Sequence, residues 1–196
     1  MPMSRNDEVA SRYRTTPGVV FLSQEQCAAE LALAGMKHVP PSYAWAKRVF
    51  GNSRLDPVDA RFWINVASTE AHRFSLIKTR QMLLDRVSDF KQPDGSYKFP
   101  WGSEDDPASA AAFNQLDFSR LLPLCVNGES DLWHVWDLGR ISSQGEPKIV
   151  IFDLGMQSVH TTLSDLCELY DLQAQWDGDI VDYEKDTDGK ILLVPW

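Results

Sequence analysis

Leu121-Leu122-Pro123-Leu124-Cys125-Val126-Asn127-Gly128-Glu129-Ser130-Asp131-Leu132-Trp133 is an apolar run, a turn and the opening of a second apolar run. Asn127-Gly128 predicts the turn, because both residue types tolerate positive φ, and residues 124–126 and 132–138 become the arms of a hairpin. Pro123 has no amide proton for a ladder, so it belongs at the start of its strand. Residues 148–154 are apolar at nearly every position, the pattern of a central strand covered on both sides. Leu163, Leu166, Leu169 and Tyr170 then recur at helical spacing, with Asp165 and Glu168 facing away.

Working outward, Ser23 with Gln26 three residues later is a capping box, and Gly35 supplies the left-handed stop. Cys27, Leu31 and Ala34 share one face of that helix. Pro40 and Pro41 break the chain and restart it as a helix over 43–50, with Tyr43, Ala46 and Phe50 on one side and Gly51 closing it. Residues 61–65 and 73–77, rich in aromatic and β-branched types, read as strands. Leu83, Val87 and Phe90 predict an amphipathic helix over 80–90. Pro93-Asp94-Gly95-Ser96 is a turn, and residues 100–110 an exposed acidic loop. The tail predicts a hairpin, 180–183 with 191–194, around Asp188-Gly189.

Strands clustered together, with helices before and after, predict an α+β fold: a central antiparallel or mixed sheet with helices packed on one face. The 196 residues suit a single domain, 1–196, with a polar lead-in over 1–22 and an acidic C-terminal hairpin extension over 171–196. One helical turn is expected around residues 7–14. No internal repeat or low-complexity tract divides the chain.

The 43% hydrophobic content, with seven Trp and nine Phe, supplies a packed core. Apolar runs stop at four residues, far short of a bilayer crossing, and the polar start lacks the apolar segment of a signal peptide. A cytoplasmic location is expected, with no membrane partner. Cys27, Cys125 and Cys167 are odd in number and set among apolar neighbours, which suits small buried hydrophobes rather than a disulfide framework. A net charge of −9 argues against nucleic-acid binding, since Arg12 with Arg14, or Lys47-Arg48, is too little to displace counterions.

No nucleophile elbow, phosphate-cradling glycine loop, dinucleotide fingerprint or zinc-ligand spacing occurs, so no catalytic residue, cofactor or metal is assigned. Residues 184–189 resemble half of a calcium loop, but Pro195 stands where the bidentate Glu belongs, and a hairpin turn explains the same residues. Histidines 38, 72, 134 and 160 are scattered. A site around His134, His160 and the acidic loop is the enzymatic alternative; a structural His134 is the plainer reading. Trp101, Trp133 and Trp136 read as core before they read as a stacking platform.

Surface charge is the remaining signal. From Asp171 to Lys190 seven carboxylates face two lysines. Acidic edges also guard strands against aggregation. The functional reading is a docking surface for a basic protein, in which charge speeds encounter and aromatics anchor. The candidate partner-binding residues are Glu104, Asp105 and Asp106 in the loop, and Trp176, Asp177, Asp179, Asp182, Tyr183 and Glu184 in the tail.

Residues 121–133, the strand over 147–153 and the helix over 163–170 resemble the SUKH superfamily: a strand with a Pro-apolar segment, an Asn/Gly turn with an acidic residue, and an aromatic-rich second strand. Upstream, Val39-Pro40-Pro41-Ser42-Tyr43 with Trp45 and Phe50-Gly51 is similar to that family's helix start before a glycine. The two blocks, about seventy residues, occur in the family's order. Departures are Gly51-Asn52 in place of a glycine pair, a poor match over 52–118, and an acidic tail without counterpart. The resemblance implies a SUKH-like fold and a bacterial immunity protein that binds and neutralises a cognate toxin. The alternative it leaves is a regulatory or scaffold interaction module. It implies no shared catalytic residues.

Overall fold

The computed structural model describes residues 3–55, 76–99, 106–127, 131–175 and 184–195. Its first half runs α1 (Arg5–Ala10), β1 (Tyr13–Thr15), α2 (Gln24–Leu33), α3 (Pro41–Val49), β2 (Ser53–Leu55) and α4 (Leu76–Val87). The second half runs α5 (Pro107–Asn114), β3 (Leu121–Asn127), β4 (Leu132–Ile141), β5 (Pro147–Asp153), β6 (Ser158–Leu163), α6 (Leu166–Gln175) and β7 (Ile191–Pro195). It is an α+β fold. Strands β3-β4-β5-β6 form an antiparallel sheet in that order.

Side chains alternate across a strand, and β5 shows what that does here. Ile149 and Ile151 enter one core with Leu122, Trp136, Leu163 and residues of α1, α2, α3 and α6. Val150 and Phe152 enter a second core with Leu121, Trp133 and Val135, filled by Leu83 and Val87 of α4, Phe113 of α5, Phe99 and Phe118. Helices therefore cover both faces of this sheet, and the expectation of a single helical face is corrected. The two-sided apolar run in β5 needs such cover, because either face left open would expose β-branched and aromatic surface.

The second sheet joins the two ends of the chain. Its order is β1-β7-β2, with β7 parallel to β1 and antiparallel to β2. The polar lead-in thus contains α1 and a strand. Tyr13 is buried, its ring 5.3 Å from Phe50 and 5.5 Å from Tyr170, and its hydroxyl donates to the Tyr170 carbonyl at 2.5 Å.

Local signals translate with some corrections. Ser23 and Gln26 make both bonds of the capping box, and Gly35 ends α2 at φ +82°. Pro41 opens α3, and Gly51 follows at φ +64°, where a Cβ would lie 2.5 Å from the Val20 carbonyl oxygen. Gly95 and the Asp94 side chain, which accepts from Ser96 N at 2.9 Å, build the expected turn. The expected hairpin arms pair, and Asn127 lies in the ladder opposite Leu132 rather than in the turn; Asp131 takes the left-handed conformation, φ 54°. Pro123 sits third in an edge strand, beside a register shift that absorbs its missing donor.

Leu163 closes β6, and α6 starts only at Leu166, where the Asp165 carboxylate accepts from Glu168 N at 2.8 Å. Leu76 and Ile77 belong to α4, not to a strand; residues 61–65 and 73–75 lie outside the described residues. Pro107 opens α5, so the acidic loop ends at Asp106. In the tail, Asp186 accepts from the amides of Asp188 and Lys190, and Gly189 at φ +75° completes the turn into β7; the expected arm at 180–183 lies outside the described residues. No helix among the described residues is long and apolar enough to cross a membrane.

Candidate functional site

Of the nine residues proposed from sequence, Asp106 and Glu184 are described; Glu104, Asp105, Trp176, Asp177, Asp179, Asp182 and Tyr183 lie outside the described residues. Asp106 is the exposed N-cap of α5, and its carboxylate accepts from Ser109 N at 3.0 Å. Glu184 is exposed beside β7, its carbonyl accepting from Leu192 N at 2.9 Å. They are not brought together: α5 packs in the second core, whereas β7 contributes Ile191 and Leu193 to the first.

Part of the tail's negative charge is consumed internally. Arg14 of β1 holds Asp186 at 2.9 Å and Asp188 at 2.8 Å, and Arg12 holds Asp171 at 2.6 Å. The small basic group at 12–14, too weak for nucleic acid, pins the tail to the N-terminal strand.

Three polar constellations are buried; the first two carry no motif, and the third, at His134, has the structural setting expected of that residue. On α3, Lys47 is 2% exposed and donates to Asn52 Oδ1 at 2.9 Å, with its ammonium 5.5 Å from the Tyr43 ring centroid. Tyr43 in turn donates to Glu30 of α2 at 3.1 Å. Burial pulls Lys47 down to about 8, partly opposed by the Glu30 carboxylate, and burial raises Glu30. The legible signal was spacing: Lys47 falls four residues after Tyr43 and three before Phe50, on the core stripe.

In the second constellation, the Glu146 carboxylate caps α3 from the β4–β5 turn. It accepts from Ser42 N at 2.5 Å and Ser42 Oγ at 2.7 Å, and Ser42 Oγ accepts from Leu166 N at 3.2 Å. One carboxylate thus ties α3, α6 and the sheet, which replaces the side-chain cap that Pro40 cannot provide. Glu146→Ala is expected to cost about 2 kcal/mol, because it strands two buried donors; urea denaturation checks this, and Glu146→Gln should recover part of the loss.

The third is His134, on the first-core face of β4, 3.2 Å from Cys125 Sγ through Nδ1. Burial, aided by His160, pushes His134 down to about 3, so it is neutral at physiological pH. His160 is exposed and is the extra residue of the bulge in β6. All three cysteines are buried and unbridged, with burial raising Cys27 and taking Cys167 up to about 11. Trp133 and Trp136 are fully buried core residues.

At one end of the four-stranded sheet two turns lie side by side. Leu154 N donates to the Asp131 carbonyl at 3.0 Å, and the Asp131 carboxylate pairs with Arg86 of α4. Met156 N donates to Asp153 Oδ1 at 2.7 Å, and Asp153, Leu154, Gln157 and Ser158 are buried around a Met156 that is 60% exposed.

No protein-family model, curated protein or solved structure matches this chain.

Proposed function

We propose that this protein acts by binding rather than by catalysis, as a cytoplasmic immunity protein that neutralises a cognate, basic bacterial toxin. The observation that carries the reading is how the two SUKH-like blocks meet. Tyr43 packs 5.6 Å from Trp136, Trp45 lies 6.0 Å from Tyr170, and Ser42 bonds both Glu146 and the first amide of α6. Residues 39–51 and the described residues of 121–170, which carry the resemblance in sequence, are thus one packed unit in space. The polar constellations described above also serve as ties between elements, which suits a rigid binding scaffold.

Recognition in such a scaffold comes from apolar anchors inside a charged rim. The chain's −9 charge favours a basic partner through faster encounter. Co-expression with the protein encoded by the adjacent gene tests the proposal. Host growth should be restored when both are made; continued killing at matched expression would contradict it.

A further inference from the structure

We draw no further inference here: the strongest candidate, the outer edge of β6 at the exposed His160 and Thr162, is bulged at His160 and capped at the Val159 carbonyl by Ser109 of α5, and nothing among the described residues shows what covers the rest of it.

Discussion

Acidification from pH 6.5 to 3 is expected to remove roughly 4–5 kcal/mol of stability through His134 alone, from its shift and about 1.4 kcal/mol per unit. The ordinary value is 6.5 and the folded value about 3, with burial the main cause and His160 second. Above pH 6.5 the imidazole is neutral in both states and adds no slope. Between the two values the unfolded chain binds a proton that the folded chain refuses, so stability falls as pH falls. Urea denaturation of wild type and His134→Gln across this range isolates the effect. Glu30 and Glu146, both raised by burial, act with the opposite sign and are common to the two proteins. The wild-type advantage should shrink by several kcal/mol on acidification; a constant difference would place the proton elsewhere.

Lys47 gives the second large effect, at the other end of the pH scale. Its folded value of about 8 lies below the ordinary 10.5, because burial strips its water and Glu30 restores only part of the loss. Below pH 8 both states carry the charge and folding bears its full cost. Above 10.5 neither does. Stability should therefore rise with pH between 8 and 10.5, by about 3 kcal/mol relative to Lys47→Met. Tyr43 and Tyr170, raised by burial, lower stability above pH 10 in both proteins and cancel in the difference. Parallel profiles for the two would mean that Lys47 is not held as a buried ammonium.

The elements that were legible carry local signals. Ser23 and Gln26 state a helix start within four residues, and the apolar run from 148 to 154 states a central strand. That run also implied cover on both faces, which the single-face expectation set aside; Val150 and Phe152 decide it by packing against α4 and α5 residues. Strand β6 was missed because Ser-Val-His-Thr-Thr-Leu is an edge strand with exposed polar positions and a bulge at His160, so neither period survives in it. Strand β1 has three residues and exists only by pairing with β7 from the far end of the chain. The acidic tail was legible as charge, but its pairing with Arg12 and Arg14 was not, since ion pairs across the chain leave no spacing to read.

The central claim, action by binding, is tested most directly by titrating the toxic activity of the adjacent gene's product with this protein. The account predicts a linear fall in activity that reaches zero at one equivalent and does not deepen with time. Loss of toxic activity at a small fraction of an equivalent, growing with incubation, would mean turnover and contradict it, as would toxic activity that persists in excess protein.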